Sequence, residues 1–187
     1  MEQNDETRAS ILNYMKSKIR EIKDWPKTGV TFRDVCPLFE DPRAFRGCID
    51  LLRERYSSYQ FDVVAGVEAR GFVIGAALAY SLDKGFLPLR KEGKLPGPNL
   101  SKTYELEYGS STLEVQNFSS RKGLRVIVVD DLLAKGGTLQ AACLLIESCG
   151  GIVVEASVLV ELSSLQGRKI LQDRGWEVFS LLKYDED

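Results

Sequence analysis

Apolar residues recur at helical spacing at Ile11, Met15, Ile19 and Ile22, which predicts an amphipathic first helix. Trp25-Pro26-Lys27-Thr28-Gly29 ends it, because proline lacks a backbone donor and glycine loosens the chain. Phe45, Ile49 and Leu52 put one apolar face on a second helix over residues 45–56. From residue 61 the pattern changes to an alternation of short β-branched runs and helix-compatible stretches. Residues 61–66 predict a strand and residues 71–82 a helix. Residues 86–89 read as a strand, with Pro88 pointing to a strand end or sheet edge. Residues 103–107 and 112–116 flank the turn Tyr108-Gly109-Ser110-Ser111 and predict a hairpin. The nearly all-apolar run at 124–129 is the pattern of a strand buried on both faces. Leu139, Ala142, Cys143 and Ile146 then fit a helix with Gly150 as its cap, and strands follow at 152–162 and 176–182.

Strand–helix alternation with buried strands predicts an α/β fold: a mostly parallel central sheet flanked by helices. The hairpin departs from that pattern and predicts a flap over the crevice at the carboxyl ends of the strands. Without repeats or a linker, residues 1–187 read as a single domain, with an N-terminal helical segment at 1–24, an α/β core at 61–182 and the flap at 91–118.

Composition removes several function classes. A net charge of −2 gives no long-range field for a nucleic-acid backbone, so any anion site must be local. The chain has no histidine, which excludes Ser-His-Asp and Cys-His catalysis and any zinc site that needs His. Cys36, Cys48, Cys143 and Cys149 show no CxxC spacing, and Met1-Glu2-Gln3-Asn4-Asp5-Glu6 is unlike a secretory leader. No apolar run approaches the roughly 20 residues that span a bilayer. These features predict reduced thiols in a cytoplasmic protein with no membrane or nucleic-acid partner.

The chemistry concentrates at residues 126–138. A buried strand delivers Asp130 and Asp131 to its carboxyl end, where α/β sheets bind ligands. Ala134, Lys135, Gly136, Gly137 and Thr138 follow, and then a helix begins. Glycines let backbone N–H groups turn inward, and a helix N-terminus adds about half a positive charge. The arrangement suits a phosphate bound beside a polyol, with carboxylates accepting from hydroxyls. Paired acids after an apolar strand also occur in Walker-B metal sites and phosphoacceptor receivers. No GxxxxGK[ST] or GxGxxG stands in the chain, and a receiver would carry its acids near the first strand. A purely structural strand, turn and helix would leave these acids at a crevice without need.

At these residues the chain resembles the type I phosphoribosyltransferase family. Glu68-Ala69-Arg70-Gly71-Phe72, the basic stretch from Arg90 to Gly97, Tyr104-Glu105-Leu106-Glu107-Tyr108-Gly109 and the stretch from Val160 to Arg168 narrow the likeness to its adenine-specific branch. The resemblance runs in family order from about Trp25 to Tyr184. It implies a type I phosphoribosyltransferase-like fold with an N-terminal helical hood and a β-hairpin flap. It also implies purine salvage: adenine and 5-phosphoribosyl 1-pyrophosphate (PRPP) give AMP and pyrophosphate with Mg2+.

The resemblance further implies that Asp130 and Asp131 hold the ribose hydroxyls and orient water on the metal, which has no direct protein ligand. Residues 134–138 would cradle the 5′-phosphate. Ala69, Arg70, Arg90, Lys91 and Lys94 would face pyrophosphate, with Arg90 reaching toward a neighbouring subunit of a homodimer. Glu107 matches the acid that bonds adenine N7 and handles its proton, and Tyr108 would help close the flap. Thr31, Phe32, Arg33 and Leu162 match the adenine pocket, with Phe32 and Leu162 sandwiching the ring and backbone groups reading its edge.

Three positions depart from the family pattern, all on the PRPP side. Lys135 replaces a threonine, Ala69 a serine, and Glu92 places a negative charge among Arg90, Lys91 and Lys94. A lost neutral hydrogen bond costs about 1 kcal/mol and one to a charged group roughly 1.5–3. The departures imply weakened or altered PRPP affinity. They also keep open a non-catalytic paralogue that senses PRPP or AMP. Transfer to guanine or hypoxanthine is a third reading, disfavoured because no strand lysine is placed to read a 6-oxo group.

Overall fold

The computed structural model describes residues 2–105, 109–117 and 122–185, with side chains from residue 8 onward. Ile11 and Met15 do share a helix, α1 (Glu2–Ser17), and Met15 is fully buried. The helix stops before Ile19, so the expected continuation to Ile22 does not form. Arg20–Lys23 is strand β1, antiparallel to β2 (Thr31–Asp34), and Ile22 faces Phe32 across this ribbon. The reason is a non-local partner: Ile22, being β-branched, suits a strand once Phe32 stands opposite it. Asp24, at φ 56°, supplies the turn and accepts the Gly29 N–H at 2.7 Å. The N-terminal hood is therefore a helix plus a two-stranded ribbon.

Two helices follow, α2 (Cys36–Glu40) and α3 (Pro42–Tyr56). Asp41 caps α3, accepting from the Arg43 and Ala44 N–H groups through Oδ1. Its Oδ2 accepts from Tyr14 Oη and Lys18 Nζ, both at 2.8 Å, which ties α1 to α3. Lys18 and the capped amides hold this carboxyl well below the usual range. Gly47 permits the close crossing, since a Cβ there would lie 2.5 Å from Ile11 Cγ1.

The remaining elements are β3 (Val63–Val67), α4 (Arg70–Ser81), β4 (Gly85–Lys91), β5 (Asn99–Glu105), β6 (Ser110–Gln116), β7 (Arg125–Leu133), α5 (Gly137–Ser148), β8 (Ile152–Leu162), α6 (Gly167–Gln172) and β9 (Val178–Tyr184). They form a seven-stranded sheet in the order β5-β6-β4-β3-β7-β8-β9. Strands β4, β3, β7, β8 and β9 are parallel, and the β5–β6 hairpin is antiparallel. It joins β4 only at Arg90↔Glu114 and Lys91↔Leu113. That explains Pro88 inside β4. The Leu89 carbonyl points to β3, where it accepts from the Glu68 N–H, so Pro88 faces the opposite, unpaired side. The strand is internal in sheet order but behaves as an edge at Pro88.

Alternation along β7 sends Ile127 and Val129 into the core beneath α3 and α4, and Val126 and Val128 into the core beneath α5 and the hairpin. Gly150, at φ 78°, donates to the Glu147 carbonyl after α5, as expected of a left-handed cap. The short helix α6 had no periodic signal of its own.

One charge is buried away from the carboxyl ends of the strands. Glu155 on β8 accepts from Arg55 Nη2 and Tyr56 Oη, both at 2.6 Å, and Arg55 stacks 3.9 Å from the Phe179 ring centroid. Burial, with Glu155 beside it, pushes the Tyr56 phenol far up. Removing one partner of a buried pair strands the other charge, which costs about 3 kcal/mol or more. Arg55→Met should lower the unfolding free energy by about 3 kcal/mol in urea titration. A loss under about 1 kcal/mol would show that Glu155 does not depend on this partner.

Candidate functional site

Strand β7 carries its apolar pattern to Val129, presents two acids, and closes with Leu132 and Leu133. Asp130 and Asp131 are only 7% and 6% exposed. The Asp131 N–H donates to Asp130 Oδ1 at 2.9 Å. Arg70, the first residue of α4 rather than the end of β3, brings Nε to 2.8 Å from Asp131 Oδ2. That contact is an ion pair without hydrogen-bond alignment, and Asp131 Oδ2 is buried with no aligned donor. Helix α4 comes this close because residue 71 is glycine: a Cβ there would stand 2.8 Å from the Val129 carbonyl and 3.1 Å from Asp130 Oδ1. Burial pushes the Asp130 carboxyl well up, and repulsion from Asp131 adds to it. Burial raises Asp131 as well, with Arg70 opposing.

Beyond β7 the chain turns through residues 134–136 into α5. Gly136 is the N-cap at φ 84°, a conformation glycine adopts without strain, and no side chain caps the helix. The first-turn N–H groups of α5 are thus left for a ligand. Two neighbours press on this loop. A Cβ on Gly137 would meet the Glu105 carbonyl at 3.0 Å, and one on Gly136 the Gly167 carbonyl at 2.9 Å.

Together these elements enclose a cavity of about 530 Å³ at the carboxyl end of the sheet. Ala69, Arg70, Lys91, Asp130, Asp131 and residues 134–138 all line it. Lys135 is exposed at its wall. Glu68, Tyr104, Glu105 and Leu165 line it too, and sequence reasoning gave them no role. Glu68 had a signal available, an acid directly after an apolar run, as with Asp130 and Asp131.

Arg90 and Lys94 do not line the cavity; they gather on Glu68 behind it. Arg90 Nη2 lies 3.1 Å and Lys94 Nζ 3.7 Å from Glu68 Oε1, and the Lys91 N–H donates to Oε2 at 2.8 Å. Arg90 is the main cause holding the Glu68 carboxyl below its usual range. The Glu68–Ala69 peptide is cis.

The four residues expected around a flat ring sit apart from the acid pair. Phe32 packs edge-on to Trp25 and lies 5.5 Å from the Arg70 guanidinium, which places it next to the cavity wall. Arg33 turns to the other face of β2, pairing with Glu21 and lying 4.1 Å over the Tyr184 ring. Thr31 pairs with Lys23 in the ribbon, and Leu162 is buried at the end of β8. The Arg33 side chain is thus committed to Glu21 and Tyr184. Glu107 and Tyr108 lie outside the described residues.

Residues 36–183 match the phosphoribosyl transferase domain family. Over 175 residues the chain is 48% identical to the adenine phosphoribosyltransferase of Chlorobium limicola, spanning 92% of this chain and 99% of that one. The crystal structure of adenine phosphoribosyltransferase from Thermoanaerobacter pseudethanolicus superposes with a TM-score of 0.86 at 47% identity, covering 92% of this chain and 99% of that one. The Saccharomyces cerevisiae enzyme, complexed with adenine and an imino-altritol 1,6-bisphosphate, gives 0.86 at 38% identity over 93% and 99%.

The acid pair makes a testable statement about stability. A carboxyl whose folded pKa lies above its unfolded value of about 3.9 binds its proton more tightly when folded. Stability of the ligand-free protein then falls as pH rises between those two values, and the cost is complete above the folded one. Asp130→Asn removes that cost. The variant should melt above the parent at about pH 8 in chelator-containing buffer, with the gap shrinking toward about pH 4. An equal or lower Tm at the higher pH would contradict the burial account.

Proposed function

Because the chain belongs to the phosphoribosyltransferase family, within its adenine phosphoribosyltransferase branch, we propose how this cavity divides the work of the transfer. The reaction is that of a purine-salvage glycosyltransferase, in which adenine and PRPP give AMP and pyrophosphate. The observation that carries the assignment is the meeting, in one cavity, of two buried acids and an uncapped glycine loop.

Asp130 and Asp131 accept from the ribose hydroxyls. A hydroxyl donor supplies what Asp131 Oδ2 lacks, an aligned hydrogen bond. The N–H groups of residues 135–138 hold the 5′-phosphate, and Thr138 adds its hydroxyl. With both ends of the sugar fixed, C1 is held for in-line displacement, and orientation supplies much of the rate. Arg70 and Lys91 face the leaving pyrophosphate, with Arg90 and Lys94 drawn in from Glu68 and Ala69 at the turn between them. The carboxylates beside the ribose also favour the positive charge that develops on its ring as the C1–O bond breaks.

Magnesium fits as an ion carried in with substrate. Among the described residues no group of three carboxylate or thiol side chains could hold a metal. The hard oxygens of Asp130 and Asp131 suit contact through water. When bound, it supplies neutralisation of pyrophosphate charge.

Adenine stacks on Phe32, next to Arg70, with Leu162 across from it and backbone groups of Thr31 and Arg33 at its edge. Glu107 takes N7 and its proton, and Tyr108 closes the flap. Tyr104 and Glu105, just before this segment, line the cavity wall, which supports that reading.

The partner we assign is a second copy of the chain. Helix α4 has no charged residue after Arg70, yet its outer face shows Val73 and Tyr80, the latter 90% exposed. A homodimer would cover it. No cysteine is in a disulfide, which supports a cytoplasmic location. No helix among the described residues is long and apolar enough to cross a membrane.

Purified protein with Mg2+, PRPP and either adenine, hypoxanthine or guanine should form nucleotide only with adenine. IMP or GMP at comparable rates would reject the assigned base pocket. Lys135→Thr restores a short hydroxyl donor and should lower the PRPP KM severalfold; an unchanged or raised KM would show that Lys135 already serves the phosphate.

A further inference from the structure

The phosphate loop is supported from behind by α6. A Cβ on Gly167 would stand 2.2 Å from the Ala134 carbonyl and 2.9 Å from the Gly136 nitrogen. The start of α6 is therefore in backbone contact with the loop, with no room between them. What fixes α6 is the next residue. Arg168 Nε donates to Glu161 Oε1 at 2.8 Å, and Nη2 donates to Glu161 Oε2. Arg168 Nη1 donates to the Val178 carbonyl at 2.6 Å, and Ser180 Oγ bonds both Arg168 and Glu161. Glu161 is only 3% exposed and sits opposite Leu133, the last residue of β7 before the loop. Burial alone would raise its carboxyl, but Arg168 and Ser180 hold it below the usual range.

We propose that the Arg168–Glu161–Ser180 network is a positioning brace for the 5′-phosphate cradle, holding Gly167 against residues 134–136. A six-residue helix has too few hydrogen bonds to hold its own place. The bidentate pair locks it to β8 and β9 on two sides. Its backbone then sets how far Ala134 and Gly136 can retreat, and so where the loop N–H groups point. An ångström of retreat lengthens every phosphate contact at once.

The inference rests on residues 134–138 being the 5′-phosphate site. It gives a signature that loss of stability does not share. The 5′-phosphate lies away from the reacting C1 and is held alike before and during transfer, so loosening it raises the PRPP KM more than it lowers kcat. Arg168→Met should raise the PRPP KM about tenfold, with kcat and the adenine KM within about threefold of the parent. Arg168→Lys should recover part of that loss. Arg55→Met, which breaks the other buried pair, should lower Tm and leave the PRPP KM unchanged.

Should Arg168→Met fail to fold, Ser180→Ala is expected to raise the PRPP KM about threefold. A PRPP KM within twofold of the parent in Arg168→Met, or an unmoved one in Ser180→Ala, overturns the brace. So does an equal rise in Arg55→Met. If the parent forms no AMP, the functional reading has failed instead. Calorimetric titration with ribose 5-phosphate then tests the brace alone: weaker binding by Arg168→Met supports it, and equal binding rejects it.

Discussion

Two carboxylates buried side by side at the end of a central strand are costly, and the elements around them are arranged by that cost. β7 must be apolar on both faces because helices cover the sheet on each side. Polar groups can therefore leave it only at its carboxyl end. There Asp130 and Asp131 meet the amino end of α4, with Gly71 permitting contact and Arg70 supplying one compensating charge. One cation for two acids leaves the pair short of partners, with an oxygen lacking an aligned donor. In the proposed role, a ligand bearing vicinal hydroxyls would complete what folding leaves unfinished, and part of its binding energy would be the relief of that cost.

The opposite charge preference is met within the same cavity by different means. Backbone N–H groups at the start of α5 carry partial positive charge without a side chain. Lys91 lines the wall, while Arg90 and Lys94 are gathered by Glu68. A chain of net charge −2 can hold a highly charged anion only by such local concentration. The loop owes its shape to close backbone contacts on two sides, the Glu105 carbonyl at Gly137 and the Gly167 carbonyl at Gly136. The loop's geometry is thereby coupled to the hairpin on one side and to α6 on the other.

Where side-chain pattern determines structure, the sequence was readable. β8 spans residues 152–162 as expected, the acid pair and the glycine loop share one cavity, and the hairpin forms across Thr103↔Thr112. The misreading at Ile22 arose because one β-branched residue fits a strand as well as a helix, and Phe32, the deciding partner, is distant in sequence. Pro88 marked an edge correctly, but one confined to half a strand. Glu68 stood out only as an acid just past an apolar strand, and what it and Gly167 do was not legible for another reason. One acts as a carboxylate that collects cations brought by a later loop, the other through the absence of a side chain. Neither leaves periodicity or composition to detect. Of the residues proposed for the ring, Phe32 carries a side-chain signal, whereas the Arg33 side chain is taken up by Glu21 and Tyr184.

Whether the acid pair and the glycine loop together form one nucleotide site is decided most directly by a crystal structure of the protein with AMP. The account predicts the phosphate on the N–H groups of residues 135–138 and both ribose hydroxyls within hydrogen-bond distance of Asp130 and Asp131. It also places the base against Phe32. A phosphate bound away from α5, or ribose hydroxyls that leave both carboxylates untouched, would contradict it.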